Sequence, residues 1–203
     1  MENVNLDSDE KRLLLKEYNH RVNNDLQVLL AFIKLQKRLG IDKDEIINSS
    51  CISIASISLI QNMMYKTDNS KNYISIDEFI NDYIIILNDN YSEFNIDFYN
   101  EIENDFIMNP KKVFHIMFLL NEMINFSIDF SLNDNLEKKI SFNLEKTGEE
   151  CLLTYSDNGS GIKDTISESN SRNLLFEQLI KQIDGTLESS DENSIVSIKF
   201  NYD

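Results

Sequence analysis

The chain has 203 residues, of which 41 % are hydrophobic and 27 % charged, a composition typical of one or two globular domains. Its formal net charge of −16 at pH 7 argues against binding to nucleic acid or to an anionic membrane surface. Residues 1–10 are polar and acidic, unlike a signal peptide. The uninterrupted apolar runs are too short to span a bilayer. Cys51 and Cys151 lie far apart and predict buried thiols in a reducing cytosol, so we expect a cytoplasmic protein.

Residues 1–69 predict two long helices in an antiparallel hairpin. The segment Ser8–Leu39 contains neither Gly nor Pro, and Gly40 suits the position just beyond a helix end. Its apolar residues recur at steps of three and four, at Leu15, Tyr18, Val22, Leu26, Leu29 and Ile33. A second helix is predicted to end at about Lys66, with an apolar face made of Ile46, Ile47, Ile54, Ile57, Ile60 and Met64. Because such a hairpin has little core of its own, we expect two copies to form a dimeric four-helix bundle.

Residues 70–203 mix strand and helix patterns and predict a second domain, an α+β sandwich with the sheet on one side and helices on the other. The predicted elements are, in chain order, a strand at Ile74–Ile76, a helix at Asp77–Asp89, a strand at Phe94–Ile102, a helix at Pro110–Phe130, a hairpin of Lys139–Leu144 and Cys151–Tyr155 turning at residues 146–148, a glycine loop at Asp157–Gly161, a helix at Leu174–Ile183 and a hairpin of Gly185–Glu188 and Ser194–Phe200.

His20 lies on the polar side of the first predicted helix, about 160° from the mean direction of the apolar seam. Lys16, Glu17, Asn24 and Gln27 point the same way. An imidazole that protrudes from a rigid helix can reach a phosphoryl donor on another protein, and it is partly neutral near pH 7. Glu17 could then hold the ring, and Lys16 or Arg21 could offset the phosphate charge.

Position alone leaves a second interpretation, a solvent-facing histidine without a role. For His115, the other histidine, the sequence predicts a packed core or boundary position, since it lies among apolar residues of a helix.

The segment Lys16–Gln27, KEYNHRVNNDLQ, resembles the phosphoacceptor helix of histidine kinases with an H-R-V-K-N-N-L-Q type box. Ile54–Ile60 and Tyr65 are similar to the second dimerisation helix of that family, although Gln61-Asn62 replaces its usual His-Glu pair. The resemblance implies that His20 becomes phosphorylated in a homodimer. It also implies that a receiver domain of a response regulator docks near His20, contacting Arg21, Asn24 and Gln27.

Two further segments, Leu120–Ile124 and the DNGSGI sequence Asp157–Ile162, together resemble the ATP-binding domain of histidine kinases and their ATPase relatives. The resemblance implies that Asp157 contacts adenine and that Glu122 lies beside the phosphates. Gly159 and Gly161 would let the backbone approach a nucleotide closely.

The nucleotide segments also depart from the family pattern. Phe126 occupies the position of the asparagine that binds magnesium, and Asn125 beside it is turned about 100° round the helix. Asp129 adds an acid close to where the phosphates would lie, and the lid region 163–173 contains no glycine. The pattern favours loss of efficient ATP use, with a divergent but working pocket as the alternative.

These observations favour a histidine phosphotransferase that relays a phosphoryl group through His20 between receiver-domain aspartates and needs no cofactor or metal. Only a short stretch precedes the His20 helix, so we expect no input domain there. One alternative is a sensor-less histidine kinase that uses ATP and magnesium. Another is a non-catalytic dimeric interaction module that regulates a kinase or a receiver.

Overall fold

The N-terminal part of the molecule is a helical hairpin with the predicted bounds. A computed structural model describes residues 8–66, 73–132, 137–160, 171–188 and 194–202. Helix α1 spans Ser8–Leu39 and α2 spans Lys43–Lys66. Gly40 turns the chain at a φ of 77°, where a side chain would be strained. Asp42 then accepts a hydrogen bond from the amide of Asp44, and the backbone N–H groups of this cap lower the pKa of its carboxyl.

The second part of the chain is the predicted mixture of helices and strands. Its elements are β1 (Ile74–Ser75), α3 (Ile76–Asn90), β2 (Ile96–Asn100), β3 (Ile107–Met108), α4 (Pro110–Phe126), β4 (Lys138–Thr147), β5 (Glu150–Asp157), α5 (Ser171–Gln182), β6 (Thr186–Glu188) and β7 (Ile195–Asn201). Five strands form one sheet in the order β2-β4-β5-β7-β6, in which β2 and β4 are parallel and the other neighbours antiparallel. Strands β1 and β3 form a separate antiparallel pair.

Local capping and backbone geometry move several boundaries from their predicted places. The Ser75 side chain accepts from the amide of Glu78 and caps α3, so Ile76 belongs to the helix rather than to the predicted strand. Asn95 has a left-handed φ of 51°, which breaks the predicted strand from Phe94 and starts β2 at Ile96.

The helix predicted to run from Pro110 to Phe130 changes form partway. Regular α-helix ends at Phe126, and Ser127–Ser131 form a π-helical turn. The β4–β5 turn lies at Gly148 and Glu149, slightly later than predicted, because Gly148 adopts a φ of 63° and Thr147 still pairs with Glu150.

Helix α4 is the centre of the core, because the sheet and the other helices leave residues 113–127 buried on every side. Phe118 of α4 meets Phe32 of α1 with ring centroids 4.6 Å apart, so the hairpin packs directly on this helix. By length and apolar composition, residues 43–64 and 110–131 could each span a membrane. Uninterrupted apolar runs, considered alone, predicted no segment of sufficient length. For residues 110–131 burial explains that composition, since 83 % of the apolar window lies inside the protein.

Part of the predicted apolar seam is uncovered in the single chain. Leu29 is buried, whereas Leu26, Ile47 and Ile54 are 47 %, 61 % and 55 % exposed. The expected four-helix bundle would require a second copy on this surface, which one chain does not test. The proposed domain boundary at residues 69–70 lies outside the described residues.

The two cysteines differ in their surroundings. Cys151 is buried, as predicted, and burial raises the pKa of its thiol to about 11. Cys51 is exposed on α2, so the prediction of a buried thiol at this position is wrong.

Candidate functional site

His20 projects into solvent from α1. Lys16, Asn24 and Gln27, on the same side of the helix, are exposed as well, which confirms the predicted polar stripe. An exposed imidazole can present a ring nitrogen to a phosphorylated partner without any movement of the helix. The side chains of Glu17 and Arg21 lie outside the described residues, so their supporting roles stay predictions.

Glu122 lies on the side of α4 that the hairpin covers. It is 1 % exposed, and its Oε1 atom accepts a hydrogen bond of 3.2 Å from Nε2 of Gln36 in α1. The same Gln36 nitrogen lies 3.5 Å from the hydroxyl of Ser49 in α2. The residue expected beside the phosphates of a nucleotide is thus bound by α1, through a Gln36 side chain that also contacts α2.

Phe126, which the resemblance predicts at the position of a magnesium-binding asparagine, is fully buried in an aromatic cluster. Its ring centroid lies 6.1 Å from those of Phe130 and Phe176. Asn125 is turned away, as expected, and its Oδ1 atom accepts a 2.8 Å hydrogen bond from the hydroxyl of Tyr91. Magnesium requires several oxygen ligands in near-octahedral geometry, so the residues at this turn of α4 do not fit that ion.

Asp157, the residue expected to bind adenine, ends β5 and is buried against the π-helical turn. Its Oδ1 atom accepts from the Ser131 hydroxyl at 2.6 Å and from the amide of Gly159 at 2.8 Å, and its Oδ2 atom accepts from the Ser127 hydroxyl at 2.7 Å. These donors fill three of the roughly four acceptor positions of a carboxylate.

Tyr155 completes the cluster around Asp157. Its hydroxyl lies 2.6 Å from that of Ser127, and burial raises the pKa of the phenol well above 10. Since Ser127 donates its single proton to Asp157, it must accept from the neutral tyrosine, which fixes the direction of both hydrogen bonds.

Gly159 is required by packing within the protein. A Cβ atom at this position would overlap the backbone carbonyl and the hydroxyl of Ser131. The amide of Ser160 also donates to the Ser131 carbonyl, at 3.1 Å, and ties the loop to the π-helical turn. Gly161 lies outside the described residues, so its role in approaching a nucleotide stays a prediction.

The structure brings together Asp157 and Gly159, but Glu122 belongs to a different hydrogen-bond cluster. Sequence reasoning missed Gln36, Ser127 and Ser131. Their partners depend on tertiary packing and on a π-helical turn. The spacing of apolar residues in the sequence predicts neither of these. Within the described ranges no three His, Cys, Asp or Glu side chains are grouped as a metal site would require.

Comparison with known proteins finds a sequence similarity in the N-terminal part of the chain and a similarity of fold over most of it. Residues 17–91, which include His20, match the sequence profile of the histidine kinase family. The fold is similar to the histidine kinase domain of the Erythrobacter litoralis EL346 blue-light activated histidine kinase, with a TM-score of 0.65, 19 % identity and 92 % of each chain covered. Against a longer structure of that kinase the TM-score is 0.68 at 16 % identity, with 99 % of this chain and 62 % of the other covered. No curated protein sequence matches the chain.

Proposed function

We propose that this chain, whose residues 17–91 match the histidine kinase family, is a histidine phosphotransferase in two-component signalling. His20 receives a phosphoryl group from an aspartyl phosphate on one receiver domain and gives it to an aspartate on another. Neither transfer uses a nucleotide or a metal held by this chain.

The observation that carries this proposal is the contrast between His20 and the residues of the nucleotide pocket. The imidazole is exposed on α1, whereas the expected magnesium position is a buried phenylalanine and Glu122 is bound by Gln36. His20 is accessible to another protein, but the pocket that would bind ATP has no ligand for the metal ion at this expected position. We infer that the phosphoryl group comes from another protein. Receiver domains carry it as an acyl phosphate.

The transfer needs little chemistry from the protein. The unprotonated ring nitrogen of His20 attacks phosphorus in line, the bond between phosphorus and the aspartyl oxygen breaks, and the carboxylate leaves. The other ring nitrogen keeps its proton and can release it to water. Since an acyl phosphate is an activated donor, positioning of the two groups is the main requirement.

The proposal includes a homodimer and a docked receiver. Leu26 and Leu30 on α1 and Ile47 and Ile54 on α2 are exposed apolar residues, and pairing two hairpins through them would remove that area from water. The receiver would then contact Asn24 and Gln27, which are exposed on the His20 side of α1.

The test is phosphate transfer to the purified chain. Receiver domains labelled with radioactive acetyl phosphate are mixed with the wild-type protein, with His20→Gln and with His115→Gln, and acid-labile protein label is counted. We expect label on the wild type and on His115→Gln, and a loss of at least about 100-fold in His20→Gln, because only the exposed ring is the nucleophile.

A parallel reaction with labelled ATP and magnesium distinguishes the alternatives. Label acquired from ATP at His20 would identify an active kinase and contradict the proposal. Absence of label from both sources, with a receiver that binds the chain, would favour a non-catalytic interaction module.

A further inference from the structure

A cleft of about 480 Å³ lies between the hairpin and the second part of the chain, and α1, the helix that carries His20, forms part of its wall. Asn24, one helical turn (about 5.4 Å) beyond His20, belongs to its lining. Residues of α1, α2, α4 and α5 contribute to its walls. Its volume lies within the range of small-ligand pockets, and contact regions between structural units are common places for them.

Gln61 on α2 lines this cleft and carries a buried acceptor. The side chain is 6 % exposed, and its Nε2 atom donates a 3.0 Å hydrogen bond to Oδ2 of Asp25. Because a carboxylate only accepts, this bond fixes the orientation of the amide. The Oε1 atom of Gln61 is buried and has no hydrogen-bond partner in the described part of the chain. An unpaired buried carbonyl is unfavourable, so a donor in the cleft would be bound there.

His115 on α4 adds a second acceptor. This ring is 6 % exposed and lines the cleft, which agrees with the predicted core or boundary position. Its Nδ1 atom lies 2.6 Å from the carbonyl oxygen of Lys111, so Nδ1 carries the proton and Nε2 keeps a lone pair. Burial lowers the pKa of the ring and favours this neutral form.

Four apolar residues of the lining suit a hydrocarbon stem. Val28, Ile60, Met64 and Phe114 form apolar walls beside the acceptors. Lys111 is exposed and adds a positive charge to the lining. The lining of the cleft therefore combines apolar walls with a carboxylate, two neutral acceptors and one exposed lysine.

We propose that this cleft binds an alkyl cation, an ammonium or guanidinium group on a hydrocarbon stem. The cation donates to Gln61 Oε1 and His115 Nε2 and is attracted by Asp25, while the stem lies against the apolar walls. The net charge of −16 favours approach of a cation. Two sources share this chemistry, a lysine or arginine side chain of the docked receiver and a small free amine. The first rests on the proposed function, since the cleft lies next to His20.

Titration of the full-length chain tests the cation site without any phosphate transfer. Isothermal calorimetry would be run with butylammonium, with Nα-acetyl-lysine amide and Nα-acetyl-arginine amide, and with butanol and butyrate as neutral and anionic controls. We expect saturable binding of the cations in the millimolar range, at least about tenfold tighter than either control. Equal binding of butanol, or no saturable binding of any cation, would overturn the proposal.

Variants with opposite expected effects locate the site. Gln61→Leu, with circular dichroism to check its fold, should weaken cation binding at least about fivefold because it removes the buried acceptor. Lys111→Gln, on an exposed residue, should tighten binding about two- to fivefold because it removes a repelling charge. Lys34→Gln, an exposed lysine of α1 outside the lining, is the matched control and should change nothing. Weaker binding in Lys111→Gln would contradict a cation site even if Gln61→Leu failed to fold.

Comparing the three cations distinguishes a partner's side chain from a free amine. Comparing His20→Gln with the wild type distinguishes the cation site from the phosphotransferase proposal. Binding of the capped amino acids as tightly as butylammonium supports a partner's side chain, whereas binding of butylammonium alone supports a free amine and rejects the partner's side chain. His20→Gln should bind cations like the wild type. A chain that binds cations without accepting phosphate would therefore refute only the phosphotransferase proposal.

Discussion

Asp157 and Glu122 are the two carboxylates that the family resemblance assigns to a nucleotide, yet both are bound by the protein itself. Asp157 accepts from Ser127, Ser131 and the amide of Gly159, and Glu122 accepts from Gln36. A buried carboxylate without donors is strongly unfavourable. These contacts give each residue a structural role that is independent of nucleotide binding.

The burial of His115 makes stability depend on pH. Its folded pKa is lowered below 6.5, first by loss of hydration. As pH falls through about 6.5, the unfolded chain takes up a proton at this residue while the folded ring stays neutral, so the unfolded state binds more protons. We therefore expect the free energy of unfolding to decrease from pH 7.5 to pH 5.5. Urea denaturation at several pH values measures this effect.

The variant His115→Gln lacks the buried ring. Its free energy of unfolding should therefore change less between pH 7.5 and pH 5.5 than that of the wild type. His20→Gln is the matched control because the ring of His20 is exposed, and it should follow the wild-type curve. If both variants followed the wild-type curve, the buried ring would not be the group responsible.

Docking of the hairpin on α4 depends on polar as well as apolar contacts. Phe32 packs on Phe118, and one turn further along α4 the Gln36 amide donates to Glu122. Both members of the polar pair are 1 % exposed, so removal of either partner affects a group that water does not reach. The pair therefore ties α1 to the centre of the core.

Replacing Gln36 by Leu should lower the free energy of unfolding by about 1–3 kcal/mol, because it removes a donor from the buried Glu122 carboxylate. The double variant Gln36→Leu/Glu122→Met should be more stable than the single one, since it removes the buried carboxylate that Gln36→Leu deprives of this donor. Chemical denaturation measures both. Gln27→Leu, on an exposed position of α1, should change stability by less than about 0.5 kcal/mol. A Gln36→Leu effect as small as this would refute the proposed contribution of the pair.

At the scale of the molecule, the exposed apolar residues of the hairpin predict self-association. The double variant Leu26→Glu/Ile54→Glu should shift the protein from dimer to monomer, because four carboxylates would lie in one interface. Light scattering coupled to size exclusion measures the mass. Ile85→Glu, at a position of α3 that is 60 % exposed, should leave the mass unchanged. A wild-type protein that is monomeric at micromolar concentration would contradict the proposed homodimer.

The elements that the sequence predicts best are those with strong local signals. Helices α1 and α2 have the predicted bounds because their apolar periodicity runs uninterrupted between clear turn residues, with Gly40 at the turn. The π-helical turn at Ser127–Ser131 and the two-residue strand β3 escaped prediction. Neither is long enough to show a periodic pattern of apolar residues in the sequence. Both depend on contacts with other segments of the chain.

For the candidate site, the sequence by itself determined that an imidazole lies on the polar side of a helix, and it predicted a phenylalanine where a magnesium ligand would be. The place of the imidazole follows from helical angle, which is a local property, whereas the magnesium position is what the resemblance of the surrounding segment implies. Only the tertiary structure decided the partners of Glu122 and Asp157 and the cleft formed by Gln61 and His115. Those contacts join residues far apart in the chain, and no local preference encodes which distant donor reaches a buried acceptor.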